Sequence, residues 1–467
     1  MIDKNEKIKW DMLVLLCLPT LSILLSTNIV IAALSNINLA FKGIEGLGSW
    51  TLLLYSTTAA SLSIAAGELG DRLGLRRLYG YGLLIYLAGC STAGLALSGS
   101  MLLAGRVLSG VGAAILAPVA LAFLSRLYQG SAKPIAFGYW AASVTVGTVA
   151  GPILGGWIQE ISSWRWTFIV AALPAIIGLI MIKRLPQYKP EDASGPSLDW
   201  IGIGGLSILP AITLITLTLS SRLPTNNLIA LTLLIISLIV FCWRHLNTIN
   251  DPAIPIKRLK ESAWWRPTLL QLIIRIVFMA MLVILTSYFQ NIEGLSELDA
   301  SNKLLPFCIA VGIMSFSSGY LCQSLGVRKL FQCVFFLATA GATALLTLSA
   351  TGFSPLDWLA IVMIGFLAGS TSQLSRLALT NFRAEESMRG ASLNTLVINL
   401  GLALGAAYPN MMRGIISKEL HLGDTLTKAE TLLTMRSEIA ILLILFIIGV
   451  WNSRRIKDVK QQQIVNS

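Results

Sequence analysis

The sequence predicts an all-α polytopic membrane protein with fourteen spans, arranged as two pseudo-symmetric six-helix bundles plus two inserted helices. Three observations support this fold class. Of the 467 residues, 55% are hydrophobic and only 12% are charged, whereas a soluble domain has about 25% charged residues. Apolar runs of roughly 20 residues, the length that crosses a bilayer, occur at fourteen places along the chain. An internal repeat relates the first part of the chain to the last.

The positions of the basic residues test the number of spans. With both termini in the cytoplasm, 25 of the 35 Lys and Arg residues fall in inside segments, eight fall in outside segments, and Arg106 and Arg275 fall in spans. This asymmetry follows the positive-inside rule, and an odd number of spans would destroy it. The net charge of +12 is therefore topological. We expect a lipid bilayer and a small-molecule substrate as partners, and no nucleic acid.

The spans also set the predicted domain boundaries. An N-terminal six-helix bundle occupies residues 1–185, the inserted helices 199–243, and a C-terminal six-helix bundle 266–453. Residues 186–198 and 244–265 are cytoplasmic linkers, and residues 454–467 form a cytoplasmic tail.

The internal repeat explains the inserted pair. The stretch "GELGDRLGLRR" (Gly67 to Arg77) follows the second span, and "GYLCQSLGVRK" (Gly319 to Lys329) follows the tenth, 252 residues later. Two halves of six helices would be offset by six spans, whereas the observed offset is eight. The seventh and eighth spans are therefore predicted to be an addition between two six-helix bundles.

Several classes of function are not expected from this chain. Nearly all of its length lies in spans, which leaves no room for a soluble catalytic domain, and no phosphate-binding loop is present. The six cysteines are scattered without C-x-x-C spacing, so neither disulfides nor a metal site is indicated. His245 and His421 are predicted to fall in loops, which argues against a buried histidine proton relay. We predict no enzyme, no cofactor and no metal.

Four motifs in order resemble those of the major facilitator superfamily, and within it the fourteen-helix drug:proton antiporters. "GELGDRLGLRR" matches the family's loop between helices 2 and 3, and the glycine and proline spacing of "GYWAASVTVGTVAGPILGGW" matches its fifth-helix exporter signature. "LLAGRVLSGVGAA" is similar to the fourth-helix motif, with Ser109 where glutamine is usual, and "LDWIGIGG" looks like the start of the inserted seventh helix. The resemblance implies a proton-coupled multidrug exporter of the bacterial inner membrane that works by alternating access, as a monomer.

Two of these motifs are predicted to act as gates. Ser143, Gly147, Gly151 and Gly155 form a smooth stripe on one helix face, and Pro152 bends the helix. The stripe is expected to pivot on a helix of the other half, although a static packing seam is the alternative. Asp71 can pair with nearby arginines or cap a helix of the other half. The alternative is topology, with cations holding the loop inside; both apply to the arginines, whereas topology does not readily explain Asp71 and Glu68. The predicted gating residues are Gly67, Glu68, Asp71, Arg72, Gly74, Arg76, Arg77, Gly138, Gly147, Gly151, Pro152, Gly155 and Gly156.

Charged residues within spans are the strongest indication of function in the sequence, because each costs several kcal/mol in lipid without a partner. Arg106 lies near the outer end of the fourth span, where snorkelling is the alternative to a substrate contact. Arg275 lies near mid-membrane, where a bond to backbone carbonyls of a broken neighbouring helix is the alternative. The candidate lining of the substrate cavity is Ser26, Asn28, Tyr55, Arg106, Gln271, Arg275, Phe278, Gln373, Asn394 and Asn399.

The chain departs from its apparent relatives in the first helix. Ser26 stands where drug:proton antiporters carry an acid, and no carboxylate is expected deep in any span, since Asp11, Asp199 and Glu438 are placed at span ends. Either the substrate is neutral or anionic, or proton coupling runs through Glu68 and Asp71 at the membrane edge. We favour the first. An exporter of an anionic or lipid-like metabolite and a non-transporting sensor or scaffold remain the alternatives.

Overall fold

In the computed structural model, the described residues form helices that are joined by loops and turns. The described residues are 8–41, 47–188, 199–219, 225–249, 259–349, 352–380, 382, 386–419 and 427–456. Within these ranges there is no β-strand beyond one antiparallel bridge between Ser349 and Gly352. The predicted all-α class is therefore confirmed.

Two of the helices begin at N-cap residues whose types are recognisable in the sequence. Ser98 caps the fifth helix by accepting a hydrogen bond from the amide of Met101, and Ser354 and Asp357 form a capping box at the fourteenth. In chain order the helices are α1 (Trp10–Ile29), α2 (Leu34–Ala40), α3 (Leu47–Leu73), α4 (Leu75–Gly94), α5 (Gly99–Leu127), α6 (Ala132–Ile161), α7 (Arg165–Met181), α8 (Trp200–Leu219), α9 (Thr225–Thr248), α10 (Ser262–Asn291), α11 (Glu297–Lys303), α12 (Leu305–Leu325), α13 (Val327–Ala344), α14 (Pro355–Gly369), α15 (Ser372–Leu379), α16 (Ser387–Glu419) and α17 (Lys428–Ser453).

Twelve helical segments within the described residues are long and apolar enough to cross a membrane. One of these spans, Pro355–Leu379, consists of α14 and α15 together. Two further helices, α4 and α8, lie at the positions of the third and seventh predicted spans but are outside the twelve, and the apolar part of α8 is short. The count of fourteen spans therefore stays a prediction, as does the cytoplasmic placement of both termini.

The two copies of the repeated motif share one backbone turn. Gly74 separates α3 from α4 with φ 84° and ψ 141°, and Gly326 separates α12 from α13 with φ 79° and ψ 157°. In both copies the glycine N–H donates to the carbonyl four residues earlier. This backbone conformation is open to glycine and strained for every other residue. The repeat found in the sequence is therefore present in the backbone.

The described residues form two compact units. The first draws on Met1–Ala136, Val146–Glu261 and Ala378–Leu396, and the second on Phe137–Thr145, Ser262–Leu377 and Val397–Ser467. Each unit has its own buried apolar core, around Phe168 in the first and around Phe335 and Phe446 in the second. Each unit also contains one short stretch from the opposite half of the sequence. This stretch is Ala378–Leu396 in the first unit and Phe137–Thr145 in the second. These stretches correspond, because adding the repeat offset of 252 to residues 137–145 gives 389–397.

Glycines bring the backbones of α4 and α5 into contact in the first unit. A Cβ on Gly105 would lie 2.6 Å from the amide N of Ala93, and one on Gly112 would lie 2.5 Å from the amide N of Tyr86. In lipid, close packing of this kind is a main source of helix association. The glycines of "LLAGRVLSGVGAA" thus fix the face of α5 that meets α4.

Helices α8 and α9, which the sequence predicts to be an inserted pair, pack against each other, and α8 also packs on α3. Asp199, directly before α8, accepts a hydrogen bond from the Gly202 amide at 2.8 Å and lies 2.7 Å from Nε2 of His245. The prediction that His245 falls in a loop is wrong, because α9 continues through the polar residues after Trp243. His421 lies outside the described residues.

The strained turns give a stability prediction. Replacing Gly74 or Gly326 with alanine is expected to cost about 1–3 kcal/mol each, because a side chain at this backbone conformation is strained. The measurement is the thermal unfolding midpoint of the purified protein, followed by tryptophan fluorescence. Gly204→Ala on α8 is the control, because a Cβ there meets no heavy atom within 4 Å. Equal unfolding midpoints for Gly74→Ala and Gly204→Ala would contradict the strained turn.

Candidate functional site

Arg106 lies on α5 in the first unit, and its side chain is fully enclosed. Its exposed fraction is 0%. Nε donates to the carbonyl oxygen of Thr51 at 2.9 Å, and Nη1 donates to Oγ of Ser26 at 3.1 Å. The guanidinium carbon stacks 4.1 Å from the centre of the Tyr55 ring. Arg106 is therefore anchored inside the protein and does not snorkel to the membrane surface.

The groups that hold Arg106 are all neutral. Its Nη2 is buried and has no hydrogen-bond partner among the described residues. Ser26 occupies the place where an acid would be expected from the family resemblance, so among the described residues the guanidinium donates to a hydroxyl and a carbonyl oxygen and to no carboxylate. Asn28 does not join this group, because its Nδ2 donates to the carbonyl oxygen of Leu24 in the same helix.

Arg275 lies near the middle of α10 in the second unit, 13 residues after Ser262 and so about 20 Å along the helix. Gly401 of α16 gives it room, since a Cβ there would lie 2.6 Å from Cβ of Arg275. Its Nε is buried without a hydrogen-bond partner, and its guanidinium forms no hydrogen bond or ion pair with any other described residue. The expected alternative, a bond to backbone carbonyls, is not found. Phe278, one turn further on, is taken up in packing against Phe307 with the rings 5.9 Å apart.

A set of buried polar side chains in the second unit contains two of the predicted residues. Gln271 donates through Nε2 to Oγ of Ser375 at 2.9 Å, and its Oε1 is buried without a hydrogen-bond partner. Gln373 donates through Nε2 to Oγ of Ser318 at 3.3 Å, and its Oε1 accepts from Nε of Arg376 at 3.1 Å.

Arg376 is a residue that the sequence reasoning missed. It was assigned to a cytoplasmic segment, but it is buried on α15, inside the span Pro355–Leu379. Ser375 and Arg376 follow Ser372 by three and four residues, a spacing that would have identified a polar helix face within an apolar span.

The two predicted asparagines on α16 differ in their surroundings. Asn394 is buried, and neither Oδ1 nor Nδ2 has a hydrogen-bond partner among the described residues. Its full capacity for hydrogen bonding is therefore available to water or a ligand. Asn399 is half-buried.

Glu68 and Arg389 form an ion pair in the first unit, which we call the latch. Nη2 of Arg389 donates to Oε1 of Glu68 at 3.1 Å, and Nε lies 3.0 Å from Oε2. Glu68 is only 3% exposed. The glycines beside it allow close contact, since a Cβ on Gly70 would lie 2.5 Å from Cε of Met388, and Gly67 faces Ser392. The start of α16 is thereby held on the end of α3.

The rest of the loop motif surrounds the latch. Arg72 lies 3.9 Å from Oε1 of Glu68 and is more exposed than Arg389. Arg76 is half-buried and Arg77 is exposed. The side chain of Asp71 lies outside the described residues, so its predicted pairing stays a prediction. The acid in the observed pair is Glu68, which lies three residues before Asp71 in the sequence.

The glycines of α6 make close contacts, but with a different partner from the one predicted. A Cβ on Gly147 would lie 2.8 Å from the carbonyl oxygen of Leu21, and one on Gly151 would lie 2.5 Å from Cβ of Asn28. Both glycines therefore face α1, which belongs to the same half of the sequence, whereas the prediction placed the partner in the other half. A stripe of small residues shows that a backbone comes close, but it does not show which one.

The remaining residues of the fifth-helix motif have less uniform surroundings. Gly138 does approach a helix of the other half, because a Cβ there would lie 3.0 Å from the carbonyl oxygen of Ser315 on α12. Gly155 is buried and Gly156 half-buried. The side chain of Pro152 lies outside the described residues, although α6 continues through this position.

Glu438 corrects a further expectation. It was placed at a span end, but it is the eleventh residue of α17 and its exposed fraction is 0%. The hydroxyl of Tyr408 donates to the backbone carbonyl of Glu438 at 2.7 Å. A carboxylate is therefore buried within a membrane-spanning helix. The apolar run that predicts this span lies in the later part of α17 and does not include Glu438.

Comparison of the chain with models of known protein families agrees with the helical fold and with the motifs described above. The family model described as Major Facilitator Superfamily matches residues 16–406. The chain belongs to the Major Facilitator Superfamily. This facilitator is a membrane transporter and not an enzyme, as its sequence predicted.

Curated relatives of this facilitator are transporters of similar length. It is 26% identical over 396 residues to a protein named drug efflux pump JefA, from Mycobacterium tuberculosis, covering 83% of this chain and 77% of that one. It is 26% identical to the riboflavin transporter RibZ of Clostridioides difficile, covering 86% and 88%. Among solved structures, the human organic anion transporter MFSD10 matches with a TM-score of 0.68 over 96% and 100% of the two chains. At 14% identity this last likeness concerns the fold alone.

The latch gives a second stability prediction. Glu68→Gln is expected to destabilise the protein by about 1.5–3 kcal/mol, because it removes the charge from the buried carboxylate that accepts from the half-buried Arg389 guanidinium. The exchange of Glu68→Arg with Arg389→Glu is expected to recover part of the loss. Thermal unfolding of the single and double variants gives the coupling.

Arg72→Gln is the matched control for the latch. It removes a more exposed cation from the same carboxylate, and exposed pairs contribute about 0–1 kcal/mol. If Glu68→Gln lowers the unfolding midpoint no more than Arg72→Gln does, the latch contributes nothing to stability.

Proposed function

We propose that this facilitator exports small amphiphilic molecules, neutral or anionic, across the bacterial inner membrane by alternating access. Proton coupling, fourteen spans, cytoplasmic termini and a monomeric state belong to the same proposal. Relatives that are named for drug efflux and for riboflavin transport support a small organic substrate.

The main support for the proposal is the hydrogen bonding of the two arginines within spans. Arg106 and Arg275 each keep a buried guanidinium nitrogen without a hydrogen-bond partner among the described residues. No described carboxylate forms an ion pair with either one. An anionic group about 4 Å from a guanidinium gains roughly 4 kcal/mol at an effective dielectric constant near 20, and a cation loses as much. Each of the two arginines therefore favours an acceptor-rich or anionic group over a lipophilic cation.

Alternating access needs contacts that form in one state and break in the other. The latch is suited to this role, because it joins α3 to the start of α16 in the first unit through an ion pair and glycine-permitted contact. We assign it to the closed state of the cytoplasmic side. Opening then requires separation of Glu68 from Arg389, and water must solvate both charges.

We place proton coupling at the same residue. Protonation of Glu68 removes the negative charge that holds Arg389 and so weakens the latch. Asp71, in the same loop, is the second acid assigned to this step. Proton uptake and opening of the gate are thereby linked without an acid in α1.

Export of an anionic or lipid-like metabolite is the second candidate. Arg275 favours it, since its guanidinium has no hydrogen-bond or ion-pair partner among the described residues. A carboxylate, phosphate or sulfate on the substrate would supply the missing counter-charge.

Transport by reconstituted protein tests the proposal. Arg275→Gln is expected to lower transport of organic anions at least tenfold, because one charge-assisted hydrogen bond is worth about 1.5–3 kcal/mol. Arg275→Lys keeps the charge and is the matched control, so it is expected to retain part of the activity. The measurement is uptake into inside-out proteoliposomes, with and without a pH gradient, over neutral, anionic and cationic compounds.

Each outcome of that experiment bears on a different function. Preferred transport of cationic dyes with unchanged rates for Arg275→Gln would overturn the assignment of Arg275. Transport restricted to organic anions would favour the metabolite exporter. Transport of no compound by folded wild-type protein would favour a sensor or scaffold.

Substitution of Ser26 gives a further prediction. Ser26→Asp places a carboxylate beside Nη1 of Arg106, which now lies 3.1 Å from the serine hydroxyl. The local charge is neutralised, so the ratio of cation to anion transport is expected to rise several-fold. Ser26→Asn, which is polar but uncharged, is the control. An unchanged ratio for Ser26→Asp would show that Arg106 does not contribute to substrate selection.

A further inference from the structure

A small cleft in the second unit lies where α10 begins and α17 ends. Its lining includes Ser262, Ala263 and Arg266 from the first turns of α10, Leu377 from α15, and Arg455 and Ile456 after α17. Two of these residues are cations, and none of the described lining residues is acidic. Glu261, which directly precedes α10, is not part of the lining. The cleft therefore carries an uncompensated positive charge.

The two arginines of the cleft are held in place by the protein. Nη1 of Arg266 donates to the carbonyl oxygen of Arg455 at 3.1 Å, and Nδ2 of Asn452 donates to the carbonyl oxygen of Arg266 at 3.2 Å. The guanidinium carbon of Arg455 lies 4.0 Å from the centre of the Trp451 ring. Nε of Arg266 is buried and has no hydrogen-bond partner among the described residues. This donor is therefore fixed in place, and its hydrogen-bonding capacity is not used by the described residues.

The start of α10 adds to the attraction for an anion. Its first turn contains no acidic residue, and the amides of a first turn lack partners within the helix. The positive end of a long helix favours a negative charge. The hydroxyl of Ser262, on the cleft wall, supplies a further donor.

Tryptophans give the depth of the cleft in the membrane. Trp451 is 52% exposed, and the guanidinium carbon of Arg266 lies 5.0 Å from the ring of Trp265. Tryptophan is enriched at the level of the lipid headgroups. This enrichment supports a position of the two guanidiniums at the level of lipid phosphates, on the side predicted to be cytoplasmic.

We propose that this cleft binds the phosphate of an anionic phospholipid. Paired guanidiniums suit phosphate oxygens, and basic pockets between membrane helices on the cytoplasmic side bind anionic headgroups. Arg266 and Arg455 provide the charge, the start of α10 provides additional donors, and the Trp451 ring borders the lipid. The site is separate from Arg106 and Arg275, so it does not depend on the proposed substrate.

Native mass spectrometry of the full chain tests the site. Purified protein is titrated with cardiolipin, phosphatidylglycerol and phosphatidylcholine, and the bound lipid is counted. Arg266→Gln with Arg455→Gln is expected to lower the affinity for the two anionic lipids about tenfold or more, since two charge-assisted hydrogen bonds are lost. Binding of phosphatidylcholine is expected to be weak and unchanged. Arg244→Gln, an exposed cation of α9 on the same predicted side, is expected to change binding less than about twofold.

A second variant keeps the proposal testable if the double variant does not fold. Ser262→Glu adds a negative charge to the cleft while it leaves both arginines and their tryptophan contacts in place, and it is expected to weaken anionic lipid binding. Retention of cardiolipin by folded Ser262→Glu at the wild-type level would overturn the site. So would an equal loss with Arg244→Gln, or complete displacement of the lipid by millimolar inorganic phosphate, which would identify a free anion as the ligand.

Discussion

A guanidinium that leaves water for the interior of a membrane protein must find acceptors, and the fold depends on where these acceptors are. At Arg106 they are the carbonyl oxygen of Thr51 and the hydroxyl of Ser26. Both are neutral, so the arginine is held while its charge is not cancelled. The backbone contact of α4 with α5 and the Tyr55 ring fix its position.

Much of this arrangement follows from the sequence. The apolar runs gave the helices, and the glycines of the repeat predicted two equivalent turns, which the backbone of Gly74 and Gly326 contains. Arg106, Arg275 and Glu68 were recognisable because a charge in or beside an apolar span is costly. Each of these inferences rests on a local cost that one stretch of chain reveals by itself, and the two glycine turns are confirmed.

The errors concern relations between helices. The stripe of Gly147 and Gly151 was certain to meet a backbone, but only the folded chain shows that the backbone is α1. Arg376 is predicted in a cytoplasmic segment and Glu438 at a span end, because hydropathy does not say where a polar helix segment enters the protein interior. Arg389, the partner of Glu68, lies 321 residues away, and no local pattern connects the two.

The repeat places two corresponding helix crossings in the molecule, one in each unit, and different chemistry closes them. The first is closed by Glu68 and Arg389, whereas the positions 252 residues away hold Tyr320 and Phe137. In that second crossing the rings of Tyr139 and Phe316 meet edge to face, 5.4 Å apart. Ionic strength and acidity weaken an ion pair but leave an aromatic contact nearly untouched. A motion that separates both crossings must therefore break an ion pair in one and an aromatic contact in the other. Which of the two breaks first depends on the salt concentration and the pH of the surrounding medium.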